Sequence, residues 1–234
     1  YYRIEEPVKI RGEKEFVVGK PVLLEHSSKR KKVVLNILVD ALSWQAMKEQ
    51  NYALLPNTMR FFSKGVIFNQ HFSVAEYTFP SLTTIEAGIY THKSQVFNDA
   101  VNMPLSPEYK VLSEQMRDLG YYCVNIMGCP SLHYTGAGRG YDRQIINSYA
   151  QRVYEGVERT IQQLEAFGEC DQFLLLHVVD VHPWPVNMIS MPVASQTCLS
   201  LEDRLWQTKE KVASVNLKYS PLYAHANMMR SEEQ

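Results

Sequence analysis

The stretch Val33-Val34-Leu35-Asn36-Ile37-Leu38-Val39-Asp40 has seven residues of strand length, apolar everywhere but Asn36, closed by an acid. A strand with one wet face alternates apolar and polar residues. A run apolar at nearly every position suits a strand buried on both faces of a parallel sheet. Residues 172–179 form a second such run, interrupted by His177 after Leu174-Leu175-Leu176. Residues 121–127 read as a third strand and 66–72 as a fourth. Helical patterns fall between them. Residues 41–50 are helix-prone, and Leu55-Pro56-Asn57-Thr58 turns into a short helix over 59–63, with Gly65 as its C-cap. Thr78-Phe79-Pro80-Ser81 opens a helix, since proline is tolerated in a first turn, and this helix runs to Ala87 and stops at Gly88. An amphipathic helix over 108–119 ends at Gly120, and Val153, Val157, Ile161 and Leu164 recur at helical spacing, predicting a helix over 151–167 whose stripe reads as core. The alternation predicts an α/β fold with a mostly parallel sheet flanked by helices.

Outside this pattern the chain is less structured. Residues 1–31 are polar and hold short β-prone pieces, Glu15-Phe16-Val17-Val18 and Val22-Leu23-Leu24, punctuated by Gly12 and Gly19. They read as a lead-in arm or the edge of a preceding module, and Lys29-Arg30-Lys31-Lys32 at their end reads as a solvated loop. Beyond Pro185 the periodicity fades, apart from a helical stretch over 201–212. Lysine and arginine number 24 against 25 acids, a net charge of −1, which excludes the basic footprint of a nucleic-acid binder. Hydrophobic residues at 45% and charged residues at 21% exclude a disordered chain. No apolar run approaches the roughly 18 residues of a membrane helix. Four cysteines, none in a CxxC pair, are neither a disulfide framework nor a zinc knuckle. Beginning at Tyr1 with no Met, the chain reads as a piece of a longer polypeptide.

In open α/β sheets, ligands bind beyond the carboxyl ends of the strands. Asp40, Thr78, Asp180 and His182 all fall at such ends. Each has a plainer reading: an acid or threonine at these places caps a helix, and a histidine before proline is a loop residue. Their shared rim favours chemistry. Thr78 heads a helix whose free N–H groups and positive dipole end suit a sulfate or phosphate group. A hydroxyl there can attack if a divalent cation lowers its pKa, Asp40 is a hard oxygen ligand for that cation, and His182 can donate to a substrate oxygen.

These residues, in this order, resemble the sulfatase-type branch of the alkaline phosphatase superfamily. Val39-Asp40 resembles the first metal-binding aspartate. Leu55-Pro56-Asn57-Thr58-Met59-Arg60-Phe61-Phe62-Ser63-Lys64-Gly65-Val66-Ile67-Phe68 resembles the segment LPN…FFxxGxxF. Thr78-Phe79-Pro80-Ser81 with Ala87-Gly88-Ile89-Tyr90 resembles the nucleophile signature. Gly140-Tyr141-Asp142 resembles the GFD element, and 174–183 resembles the strand ending in Asp-x-His-x-Pro. The resemblance covers roughly 32–184. It implies an alkaline-phosphatase-like fold and a metal-dependent hydrolase or transferase acting on phosphate or sulfate esters through a covalent Thr78 intermediate. It further implies Asp40 and Thr78 as ligands of a divalent ion (Zn, Mn, Mg or Ca), and His182 and His133 as substrate contacts. The substrate would be an ester of a glycan or lipid head group, with no nucleic-acid partner, and the parent protein would be extracytoplasmic or membrane-associated.

The departures are specific. Thr78 replaces the Cys or Ser of sulfatases and Leu82 replaces their Arg, so formylglycine cannot form. A Thr nucleophile is what the superfamily's phosphoglycerol and phosphoethanolamine transferases use. Ala41 replaces the second Asp of the usual pair, and the Gly-Lys-x-His element is reduced to Gly128-Cys129-Pro130-Ser131-Leu132-His133. No SDHG-like segment follows Pro185. Residues 32–234 therefore read as the N-terminal part of the catalytic domain, cut before its second metal pair, so that the metal need not be retained. The alternatives are a sulfatase-like ester hydrolase without formylglycine, and an inactive fragment serving as a binding module. Asp180 reads as a cap or loop residue before a metal ligand.

Overall fold

A computed structural model describes residues 3–14, 16, 21–97, 104–127, 135–147, 152–182 and 194–197. The first run is strand β1, Val33–Val39. Helices α1 (Trp44–Glu49), α2 (Pro56–Phe61), α3 (Thr78–Ala87), α4 (Thr91–Ser94) and α5 (Leu112–Asp118) follow. Strands β2 (Tyr122–Met127) and β3 (Arg143–Asn147), helix α6 (Val153–Ala166), and strands β4 (Gln172–Val178) and β5 (Ala194–Thr197) complete the order. The sheet runs β1-β4-β2-β3-β5, with the first four strands parallel and β5 antiparallel to β3.

The continuous apolar runs are explained by what covers each face. Residues of β2 and β4 are buried at every position. Leu174, Leu176 and Val178 join Val124 and Ile126 in a core with Phe167 and Leu164 at the end of α6. Phe173 and Leu175, on the opposite face, pack with Tyr121, Cys123 and Tyr141, and against Val34, Leu38 and Met116 of α5. On that second face Leu82 of α3 packs with Met127 and Ala137, and against Leu38. Helix α3 thereby docks onto β1 and β2. β1 departs from the expectation of a strand buried on both faces: among the described residues it is the edge of the sheet, and Val33, Leu35 and Ile37 are exposed on the face toward α6.

Two elements differ from the sequence reading. Residues 66–72 form no strand: among the described residues they join no ladder, and Val66, Phe68 and Phe72 lie exposed. Apolar, β-prone residues make a strand only when a neighbour completes their ladder, and 69–70 turn instead. The strand that takes the place of 66–72 is β3, whose Ile145 and Ile146 are buried beside β2. Helix α2 begins earlier than 59–63, with Pro56 in its first turn, and its C-cap is Phe62 instead of Gly65. Helix α5 is shorter than 108–119, although Gly120 follows it in the left-handed region as expected (φ 91°). Helix α3 spans Thr78–Ala87 with left-handed Gly88 (φ 66°) as its cap, as the sequence predicts.

Residues 22–24 are not a strand, and most of 15–18 lie outside the described residues, as do 198–234 with their helical stretch. The lead-in segment is nonetheless tied to the start of β4. Asp171, fully buried, accepts from His26, from the Ser27 backbone N–H (3.0 Å) and from Arg30 Nε (2.7 Å). Arg30 also donates to Leu119 O and lies over the Tyr121 ring at 5.7 Å. The basic run thus sends one member inward as an anchor and leaves Lys29, Lys31 and Lys32 in solvent.

A second buried acid sits at the far end of α3. Glu86 is 4% exposed and accepts from Tyr141 Oη (3.1 Å) and Ser113 Oγ (3.4 Å). Gly140 makes this possible: at φ 75°, a Cβ there would lie 2.3 Å from the Glu114 backbone nitrogen, so only glycine lets the chain cross α5 and deliver Tyr141. Burial pushes the Glu86 pKa up to about 7, against the two hydroxyl donors that lower it.

Two predictions follow from these acids. Burial raises the Asp171 pKa, but the hydrogen bonds of His26, Ser27 and Arg30 outweigh it and hold the carboxyl at about 2. A depressed acid stabilises the fold above its unfolded pKa and ceases to do so as pH falls through the folded value. Stability from Asp171 is therefore lost between about pH 4 and pH 2. Asp171→Asn should cost about 1–3 kcal/mol at pH 7 by removing the charge that pairs with Arg30, measured by urea unfolding, and should flatten that acid limb. Glu86 has the opposite sign. The folded state holds its proton longer than the unfolded chain, so stability should fall by roughly 3 kcal/mol as pH rises from 4.5 to 7. Glu86→Gln should remove that slope, and an unchanged slope would assign it elsewhere.

Candidate active site

The parallel ladder of β1 and β4 sets the site. Leu38 pairs with His177 and Val39 with Val178, and the Asp40 N–H donates to Val178 O at 2.9 Å. Ala41 then takes a left-handed conformation (φ 59°) and turns the chain out of the strand. Asp40 is thus held at the carboxyl end of β1, beside the end of β4. His177 belongs to the same side of β4 as Phe173 and Leu175, by the period of two, and this is the side that α3 covers. Thr78 is the first residue of α3, so docking of Leu82 on Leu38 and Met127 brings it to the same rim.

The geometry is compact. Thr78 Oγ1 donates to Asp40 Oδ2 at 2.8 Å, and His177 Nε2 lies 3.2 Å from that same oxygen. Among the described residues no hydrogen bond reaches Asp40 Oδ1. Burial raises the Asp40 pKa, but the hydrogen bonds from His177 and Thr78 and the nearby His177 and His182 rings outweigh it and hold the carboxyl below its ordinary range. His182 is half-buried near both groups, with its N–H donating to Val179 O at 3.0 Å. Burial, with His177 close by, lowers the His182 pKa despite the opposing pull of Asp40. The N-terminus of α3 carries no side-chain cap, and Pro80 lacks an N–H, which leaves the amides of Thr78 and Phe79 facing that end.

The structure therefore brings Asp40, Thr78 and His182 to one rim and adds His177, which sequence reasoning noted only as a break in an apolar run. The signal was there: a histidine inside a strand buried at every position must find a polar partner. Asp180 has a different task. Its Oδ2 accepts from the Val153 N–H at 2.7 Å, capping α6, which is the plainer of its two readings. His133 lies outside the described residues. Gly140, Tyr141 and Asp142 serve packing, with Asp142 accepting from the Cys123 N–H at 3.1 Å.

Asp40 offers an ionised carboxylate with one oxygen free of hydrogen bonds, and Thr78 a hydroxyl beside it, both hard oxygen donors that fit a divalent cation. Among the described residues no group of three or more His, Cys, Asp or Glu side chains could hold a metal. No helix among the described residues is long and apolar enough to cross a membrane.

A parallel sheet between helices, with an acid and a helix-heading hydroxyl joined at the strand ends, is an α/β architecture with its candidate site at the carboxyl rim. The Sulfatase family model matches residues 32–188, more than half of the chain, and the chain belongs to the Sulfatase family. Solved structures agree on the fold. BT4656, in complex with its substrate D-glucosamine-2-N,6-O-disulfate, superposes with a TM-score of 0.54 at 17% identity, over 63% of this chain and 34% of its own. A candidate sulfatase from Bacteroides thetaiotaomicron gives 0.53 at 16% identity, over 70% and 41%. An alkaline phosphatase superfamily protein from Vibrio parahaemolyticus gives 0.51 at 14% identity, over 89% and 52%. The fold is thus alkaline-phosphatase-like, and the chain spans about a third to a half of the length of these structures. No curated protein matches the sequence.

Proposed function

We propose that the protein acts on sulfate or phosphate esters through a covalent intermediate on Thr78, as a metal-dependent hydrolase or transferase. The observation that carries this reading is the 2.8 Å hydrogen bond from Thr78 Oγ1 to Asp40 Oδ2 at the uncapped N-terminus of α3. The ester's anionic group would sit against the free amides of the first turn, where the helix dipole favours negative charge. The hydroxyl hydrogen of Thr78 lies toward Asp40, so its lone pairs are left for the incoming sulfur or phosphorus. The Oγ–S or Oγ–P bond forms as the bond to the leaving alcohol breaks. The hydroxyl proton passes toward Asp40, and the alcohol takes its proton from water ordered by His182. Water, or an acceptor alcohol in a transferase, then cleaves the Thr78 ester.

Asp40 is a weak base, with its pKa held down, so the hydroxyl must itself be acidified. A divalent cation held by Asp40 Oδ1 and Thr78 Oγ1 would supply that acidity and offset the charge of the ester oxygens. Family membership supports a sulfate ester, and the disulfated glucosamine bound by BT4656 supports a glycan carrying it. Threonine at position 78 supports phosphoryl transfer, with a lipid head group as the alternative carrier. We place the parent protein outside the cytoplasm or at a membrane on the same family grounds.

The test compares the protein with Thr78→Ala on an aryl sulfate and an aryl phosphodiester, with zinc, manganese, magnesium or calcium supplied. Turnover of one class should fall by about a thousandfold or more in Thr78→Ala, with the melting temperature almost unchanged. Equal turnover by the two proteins would remove Thr78 as nucleophile. A chain inactive on both classes that still binds the esters would instead be a binding module.

A further inference from the structure

We propose that His177 is a positioning residue that fixes the rotation of the Asp40 carboxylate, so that one oxygen is committed to Thr78 and the other is left for a cation. The proposal rests on the reading of Asp40 and Thr78 given above, and three observations carry it. His177 is 1% exposed inside β4, so its ring has been taken fully out of water. Such a burial is costly unless the ring is hydrogen-bonded, and its Nε2 meets Asp40 Oδ2 at 3.2 Å. That oxygen also accepts from Thr78 at 2.8 Å, whereas no hydrogen bond among the described residues reaches Oδ1.

A carboxylate on a strand end turns readily about its last bond. Two donors converging on one oxygen, one from β4 and one from α3, stop that rotation. The ladder pairing Leu38 with His177 sets the imidazole two residues before the level of the acid, on the neighbouring strand and the same face, a position that needs no loop to hold it. Residues that orient a ligating carboxylate from behind commonly alter metal affinity without touching the metal. His177 acts through Asp40, whose Oδ2 its Nε2 meets at 3.2 Å.

The experiment uses the full chain and two variants. His177→Phe keeps the ring volume and removes the donor; His177→Gln keeps a donor at similar reach. Crystal structures of the three proteins and titration calorimetry with Mn²⁺ alone are the readouts. In His177→Phe the carboxylate should turn and the Thr78–Asp40 contact should open, and Mn²⁺ affinity should fall about tenfold to a hundredfold. His177→Gln should restore the contact and most of the affinity, which a purely structural role would not predict. A His177→Phe structure that keeps the contact unchanged overturns the proposal, whatever the metal result. A carboxylate that turns in a protein whose wild type binds no Mn²⁺ supports the positioning role and strikes only the cation reading.

Discussion

The pairing of β1 with β4 is the constraint on which the rest depends. Seven consecutive parallel partners, from Val33 with Gln172 to Val39 with Val178, leave no freedom in how the two strand ends meet. Asp40 leaves one strand where His177 and Val178 close the other, and its backbone N–H extends the ladder by one bond. A slip of one residue would turn His177 to the α6 face and bring a leucine to the acid. The register holds because Leu174, Leu176 and Val178 fill the α6 core while Phe173 and Leu175 fill the opposite one. The chemistry of the rim is in this sense a by-product of hydrophobic burial.

The second support is the docking of α3. Leu82, at 1% exposure, meets Leu38 and Met127 one turn beyond Thr78, and Glu86 one turn further is tied to Tyr141 and Ser113. The helix is fixed at its middle and at its end, so its N-terminus is aimed. Four acids near the sheet then divide distinct tasks. Asp171 anchors the lead-in segment, Asp142 receives the Cys123 amide, Asp180 caps α6, and Asp40 alone faces a hydroxyl at a helix start. Similar side chains differ in role through the donors around them.

Much of this was legible in the sequence where one local signal sufficed. The doubly buried β4, the helix between Thr78 and Gly88, and the acid ending β1 all follow from apolar runs, proline tolerance and glycine punctuation. The edge position of β1 was not legible, because exposure depends on which strands neighbour it. Residues 66–72 have the composition of a strand but no ladder, and Arg143–Asn147 has a ladder but opens on two polar residues, Arg143 and Gln144, that mask its character. His177 was missed for a related reason. Its partner lies 137 positions away, and only the strand register shows that the break in the run is a contact with Asp40.

The covalent role of Thr78 can be read from the intermediate itself, by trapping it. The protein would be mixed with an activated sulfate or phosphodiester, quenched in acid within the first turnover, and its peptides weighed by mass spectrometry. A sulfuryl or phosphoryl adduct should be found on the peptide bearing Thr78, located on that residue by fragmentation. Turnover with no adduct, or with the adduct on another side chain, would contradict the covalent role.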